Sequence, residues 1–514
     1  MSDYIYMLES RLSPDQNRVV GEMQSAAAQA GVTLFLTGGA MRDMLAGFRI
    51  RDLDFVVEGD ALKVAEAVRA GAGAKRLAAD EPRKSAELAF PNGVTAQVAM
   101  SRQEKRGARG GKIQVAPATI QEDLRGRDFT CNAIALSLNK ASRGLLLDPL
   151  NGLADIGRRE LRAASAYAFY DDPSRLLRLA RLQVRLGFAV EERTRMQVAN
   201  ALEADVQSSI PSVTLGEELR SIATEDGSAE ILRTLDEAGL LKLFSPALSG
   251  PKVNLAGMAK FEKIIRGFPD EPHWRSARLG PFLFVLTEKL SPKEEQSLIR
   301  AAGLAKAEEE LWRKLEARAK KLETALKAAG IRKASQVYHI VSAALPDEIL
   351  FLLYHSSLRP VQERLKNYFQ KYIPAIQEIT PEEWATVEGK PGTPRYAKAR
   401  DAFITVRLDR RPKKPVEEAP PPEAPQVDAA AAGMGRGPGV RGRESGAGGR
   451  GPGTGGRGEV AAGAGSQGPG MRTGEGVHTE RPRRLSAPRA WPAPPPAPEI
   501  GLILCIRPVA RKAT

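Results

Sequence analysis

The chain is 514 residues long, with 42% hydrophobic and 27% charged residues, and 76 Lys+Arg against 62 Asp+Glu give a formal charge of +14, enough length for three or more domains. Two cysteines, Cys131 and Cys505, exclude a disulfide framework and a thiolate zinc site, and four scattered histidines argue against a histidine-built metal centre. No run of about 18 apolar residues occurs, and the acidic start MSDYIYMLESRLSPDQ does not read as a signal peptide, so the expectation is a cytoplasmic enzyme or binding protein that meets a polyanion and no membrane.

In chain order, Ser13 and Pro14 open a helix over residues 14–30, with Ser as N-cap and Pro at the first helical position. An apolar run over 32–37 reads as a buried strand, ends at Gly38-Gly39 and leads into a helical segment over 40–45. A second strand over 53–57 precedes a helix over 61–69, and strand-like pieces recur at 85–90, 94–100 and 129–138. This mixed part ends near Asp148-Pro149. From about Asp172 the segments 172–187, 193–204, 215–240 and 304–328 have helical periodicity. Leu311, Leu315, Leu322 and Leu326 are spaced to line one face of the last of them. From Pro415 onward 36 of 100 residues are Gly or Pro, against 48 of the 414 before it, so the stretch is expected to be disordered. It carries +4 of the net charge and leaves +10 on the rest, so the positive charge belongs mainly to the folded part. The expected fold is an α/β head with a mixed sheet over 1–150, followed by an all-helical neck over 151–245 and a helical body and tail over 246–412. A disordered Gly/Pro/Arg-rich extension over 413–514 completes it.

The best chemical candidate lies in residues 36–57. Asp52 and Asp54 sit two apart at the entrance to an apolar strand, where side chains alternate faces, so both carboxylates are expected to point the same way. Such a pair suits Mg²⁺ held jointly with substrate phosphates. Gly38-Gly39 lies between a strand and a helix, where backbone N–H groups can hold a triphosphate. Each feature alone is common, a solvated strand end or a turn. Their order, strand–Gly-Gly–helix–strand, is far more specific.

The string GGAMRDMLAGFRIRDLDFVV resembles the nucleotide-binding head of the tRNA nucleotidyltransferase/poly(A) polymerase family, in its bacterial and eukaryotic class. EDLRGRDFTCNA over 122–133 resembles the family's second motif, and Asp148-Pro149 with Asn151-Gly152 its connector between head and neck. The resemblance implies nucleotidyltransferase chemistry in the head, with Asp52 and Asp54 as catalytic metal ligands. Gly38, Gly39, Arg42, Asp43, Arg127, Asp128 and Asn132 fall at the triphosphate and ribose. The segment FYDDPSRLLRLARLQVRLGF over 169–188 resembles the motif that selects the base. Asp171 and Asp172 are expected to start its helix, with Asp172, Arg175 and Arg178 presenting a carboxylate and two guanidiniums along one edge. Such an edge reads CTP or ATP without a nucleic-acid template, and a first-turn Asp–Arg ion pair is compatible with it. Arg178, Arg181 and Arg185 continue a basic stripe, either a solvated face or a groove for the RNA end. Leu215–Arg220, LGEELR, resembles the last shared motif, a support for the neck.

Two positions depart from the pattern: Gln97 stands where related sequences carry an acid, and Gly126 replaces the first Arg of Arg-Arg-Asp. The resemblance covers about residues 32–245 and implies addition of CMP and AMP from CTP and ATP to the 3′ end of tRNA, with release of pyrophosphate. Mg²⁺ is the implied cofactor, tRNA the partner, and no DNA is expected. Enzymes adding only CC or only A, and bacterial poly(A) polymerase, share these motifs. A catalytically weak RNA-binding protein reusing the fold is the reading from another class.

Overall fold

A computed structural model of the chain describes residues 4–106, 113–268 and 272–410, so the expected extension over 413–514 lies outside the described residues. Helix α1 (Tyr4–Arg11) is followed by α2 (Pro14–Ala30), whose start is fixed by a reciprocal cap. The Ser13 hydroxyl accepts the Gln16 N–H, and the Gln16 side chain accepts the Ser13 N–H. The chain then runs through β1 (Thr33–Thr37), α3 (Gly38–Leu45), β2 (Leu53–Glu58), α4 (Ala61–Ala72), β3 (Lys75–Asp80), β4 (Ser85–Ala89) and β5 (Thr95–Met100). A hairpin of β6 (Arg102–Arg106) and β7 (Ile113–Pro117) leads to α5 (Ile120–Arg125), β8 (Ala135–Ser137) and β9 (Leu146–Leu147).

The seven-stranded sheet has the order β3-β4-β5-β2-β1-β8-β9. β2 and β5 pair in parallel, and every other described pair in this sheet is antiparallel. β1 and β2 read as unbroken apolar runs because both of their faces are covered. Leu34, Leu36, Phe55 and Val57 join the main core, while Phe35 and Val56 pack on the other face against Ile120, Leu124, Ala133 and Ala135. This fixes the antiparallel β1–β2 register, Leu36 opposite Phe55, and sets the glycine turn after β1 beside the acidic start of β2.

The strand expected over 129–138 is corrected to a 3₁₀ turn over Thr130–Asn132 and a short β8. Side-chain demands break the ladder here: Asp128 accepts the Phe129 N–H and the Asn132 amide, and the Thr130 N–H goes to the Arg162 carbonyl. Gly152 is needed because a Cβ at that position would lie 2.0 Å from the Thr130 carbonyl oxygen.

The chain continues through α6 (Gly152–Arg158), α7 (Ala168–Asp171), α8 (Arg175–Leu186), α9 (Glu192–Glu203), α10 (Ser212–Thr224) and α11 (Ser228–Glu237). The helix expected to start at Asp171-Asp172 starts instead at Arg175, because Asp171 ends α7 and Asp172 caps it. The single helix expected over 215–240 is broken at 225–227, where Glu225 turns extended and a Cβ on Gly227 would lie 2.9 Å from Val184 Cγ1. The expected helix over 304–328 is likewise two, Lys306–Arg313 and Leu315–Lys327. The break leaves Leu311 53% exposed while Leu315, Leu322 and Leu326 are buried. The described chain then stays helical to Pro394–Asp409. One apolar core runs from Leu36 and Phe55 through Leu176 and Leu219 to Phe261, Phe282 and Phe351. No single helix among the described residues is long and apolar enough to cross a membrane.

Candidate active site

The glycine turn is shaped by the carboxylate it touches. Gly38 has φ +63°, a left-handed conformation, and a Cβ there would lie 3.3 Å from Asp54 Oδ2. The Gly39 N–H donates to the Asp54 carboxylate, so this donor faces the acid pair rather than open space. Asp54 is the second residue of β2, and Asp52 lies in the loop before it. Burial first, and the charge of Asp52 second, push the Asp54 carboxyl up to about 6, against the opposing pull of Arg127 and Arg42. Two carboxylates that repel in this way are relieved by a divalent cation, and hard cations with phosphate-bearing substrates commonly use one or two carboxylates. No group of three or more His, Cys, Asp or Glu side chains forms a metal cluster among the described residues.

The two acids do not share one outlook. Asp54 lines a cavity of about 860 Å³ together with Gly38, Gly39, Arg127, Asp128, Asn132, Asp172, Arg175 and Arg178. Asp52 lines a cavity of about 570 Å³ together with Arg49, Arg51, Glu87 and Arg275. The departure at Gln97 falls beside the acid pair: Gln97 is opposite Asp54 in the β2–β5 register and opposite Glu87 in the β4–β5 register.

Within the larger cavity, Arg127 is held by Asp123 at 2.6 Å, and Asp172 accepts the Ser174 N–H at 3.2 Å and hydroxyl at 2.7 Å. Arg175 donates to the carbonyls of Ala168 (3.4 Å) and Gly126 (3.0 Å), so Gly126 still contributes through its backbone. The Arg175 Nε is buried and has no hydrogen-bond partner among the described residues. Arg83, Arg102, Glu104 and Arg125 also line this cavity and escaped the sequence reading. They sit in a turn, a hairpin and the last turn of α5, where charged residues are ordinary, and no periodic signal singles them out.

Arg42 and Asp43 do not line either cavity; they are 4% and 2% exposed, which corrects their expected place at the triphosphate. Their side chains belong to a buried polar ring. Arg42 donates to Asp43 at 2.7 Å and to Asn132 at 2.8 Å, and Asn132 donates to Asp128 at 2.9 Å. Asp128 accepts from Arg178 at 3.1 Å, and Glu218 takes Arg178 and Arg181, each at 3.2 Å. Arg181 reaches Glu225 at 3.4 Å, and Arg185 closes the ring between Glu225 (3.8 Å) and Asp43 (2.6 Å). The basic stripe of α8 is therefore not a solvated face: Arg178 lines the larger cavity, and Arg181 and Arg185 the smaller one. Its arginines turn inward, and the LGEELR segment supplies Glu218 to hold two of them. Burial would raise Asp128, but Arg178 and the Asn132 amide outweigh it and hold the carboxyl near 2.

Residues 34–162 match the family described as poly A polymerase head domain. The chain is similar to an A-adding tRNA nucleotidyltransferase of Geobacter sulfurreducens, 24% identical over 413 residues, 79% of this chain and 47% of the relative. It is similar to a CC-adding tRNA nucleotidyltransferase of Deinococcus radiodurans, 34% identical over 231 residues, 45% of this chain and 60% of the relative. A multifunctional CCA protein of Methylococcus capsulatus is 34% identical over 223 residues, 42% of this chain and 49% of the relative. The chain spans about half the length of the curated relatives it matches.

Proposed function

We propose, from the match of residues 34–162 to the family described as poly A polymerase head domain, that the protein is a template-independent nucleotidyltransferase that adds CMP and AMP from CTP and ATP to the 3′ end of tRNA. The observation that carries this reading is that Asp172 and Arg175 line the same cavity as Asp54. Asp172 and Arg175 offer an acceptor and a donor edge fixed by protein alone, which selects a base without a template. On this reading residues 1–150 are the catalytic head, 151–245 the nucleotide-selecting neck, and 246–412 the body and tail that bind tRNA.

The RNA 3′-hydroxyl oxygen forms a bond to the α-phosphorus, the bond to the bridging oxygen breaks, and pyrophosphate leaves. Asp52 and Asp54 fit a divalent cation, Mg²⁺ in our reading, which when bound neutralises triphosphate charge and acidifies the attacking hydroxyl. Arg127 faces the triphosphate, while Asp128 and Asn132 suit the ribose hydroxyls. The smaller cavity beside Asp52, with Arg49, Arg51 and Arg275 in its wall, receives the RNA end. Nucleotide and RNA thereby meet from opposite sides of the acid pair.

The test is incubation of the purified chain with tRNA lacking CCA, tRNA ending in CC, and a generic RNA, each with CTP, ATP or both. Completion of CCA on the first tRNA is expected, and no incorporation into any RNA would favour a binding protein. A partial adder is the second reading, because the A-adding relative aligns over 79% of this chain; AMP addition restricted to the CC-ended tRNA would establish it. Arg175→Ala is expected to reduce CTP/ATP discrimination by about tenfold or more, the worth of one buried hydrogen bond to a charged group. Triphosphate KM should change little, and retained discrimination would place the base reader elsewhere.

A further inference from the structure

We propose that Glu225 is a positioning residue for Asp52, acting through Arg51; the inference rests on the metal role given to Asp52 above. Asp52 belongs to a stretch, residues 48–52, with no regular secondary structure, so no strand ladder fixes it. Side-chain ties take that place. The Gln16 amide donates to the Ile50 carbonyl at 3.1 Å, and the Arg51 guanidinium reaches Glu225 at 2.9 Å and Asp226 at 3.5 Å.

Both carboxylates follow the last turn of α10, so the neck grips the loop that carries the catalytic acid. Glu225 is buried and surrounded by three guanidiniums, those of Arg51, Arg181 and Arg185. Burial alone would raise its carboxyl; Arg185, Arg51 and Arg181 together lower it. Glu225 therefore touches at once the loop that places Asp52 and the helix α8 that carries Arg175. Asp226 is anchored in turn by Arg278, which also donates to the Thr224 carbonyl at 2.8 Å. Arg51 carries this grip on the head side, and Glu225 and Asp226 carry it on the neck side. A carboxylate that binds a cation is as well placed as the groups behind it, and loss of such a supporting contact weakens metal affinity or activity about tenfold or more.

The experiment compares wild type, Arg51→Ala, Glu225→Gln and the double variant. Mn²⁺ affinity is read from water-proton relaxation without substrate, and kcat and the Mg²⁺ requirement from nucleotide incorporation into tRNA. Each single variant is expected to bind Mn²⁺ about tenfold more weakly and to need correspondingly more Mg²⁺. The CTP/ATP ratio should stay at the wild-type value. The double variant should be no worse than the worse single one, since both break the same tie. Glu225→Gln leaves three arginines around a neutral amide, so its melting midpoint is followed; Arg51→Ala leaves Glu225 paired with Arg181 and Arg185 and decides the question if the other unfolds. Mn²⁺ affinity within twofold of wild type in Arg51→Ala, or losses that add in the double variant, overturns the proposal. Should wild type add no nucleotide to any RNA, the functional reading fails, while the Mn²⁺ measurements still decide whether Arg51 and Glu225 set the acid pair.

Discussion

Asp54→Ala is expected to abolish nucleotide incorporation, by about a thousandfold or more, while tRNA binding survives. The size follows from what the pair holds: a cation at a phosphoryl group contributes several kcal/mol to the transition state, and each 1.4 kcal/mol is about tenfold in rate. The separation from binding follows from the fold. Asp54 is held against its own charge preference, pushed up to about 6 by burial and by Asp52. Removing it takes a repulsive charge out of the head and leaves β2 anchored by Leu53, Phe55 and Val57, all buried. The variant should therefore melt at or above the wild-type temperature. What it loses is the acceptor of the Gly39 N–H and the pull of Arg127 and Arg42, which burial and the charge of Asp52 outweigh. Asp52→Ala should lose activity to the same degree. Gel assays of labelled CTP incorporation, run beside filter binding of tRNA, check both; equal loss of activity and binding would sink the metal role.

The sheet centre was legible in the sequence because its signal is local: β1 and β2 are covered on both faces and so read as apolar runs. The common outlook expected for Asp52 and Asp54 was not, because Asp52 precedes β2, where strand alternation does not apply, and the two acids line different cavities. β3 was missed for the opposite reason. It is an exposed edge strand carrying Lys75, Arg76 and Asp80, which shows neither alternation nor an apolar run. The inward ion pairs of the α8 arginines were not legible because their partners lie far away in sequence: Glu218 is 37 residues from Arg181, and Asp43 is 142 residues from Arg185. A basic stripe with acids three or four residues away announces itself; one paired only in three dimensions does not. Arg42 and Asp43 show the same limit in another form. Their place in a glycine-turn motif suggested the triphosphate, yet the inward face of α3 buries them against Asn132 and Arg185.

Asp128→Ala tests whether that ring holds head to neck, and it should destabilise the protein by about 3–5 kcal/mol at pH 7. The carboxylate is buried and fully engaged: Oδ1 accepts the Phe129 N–H at 2.7 Å and the Asn132 amide at 2.9 Å, and Oδ2 accepts Arg178 at 3.1 Å. Alanine leaves a buried amide, a backbone N–H and one edge of a guanidinium without their acceptor. Glu218 still pairs with Arg178, which keeps the loss near the lower end of that range. The sign with pH is fixed by the lowered carboxyl. Its folded value near 2 lies below the ordinary 3.8, so ionised Asp128 stabilises the fold fully above about pH 4. That contribution disappears as pH falls from about 4 towards 2, and the gap between the two values is worth roughly 2 kcal/mol. Urea unfolding of wild type and Asp128→Ala at pH 7 and pH 2.5 should therefore show a stability difference that narrows in acid. A difference of the same width at both pH values would mean that Asp128 acts through its shape and not through its charge, and the ring would then bind head to neck without its ion pairs.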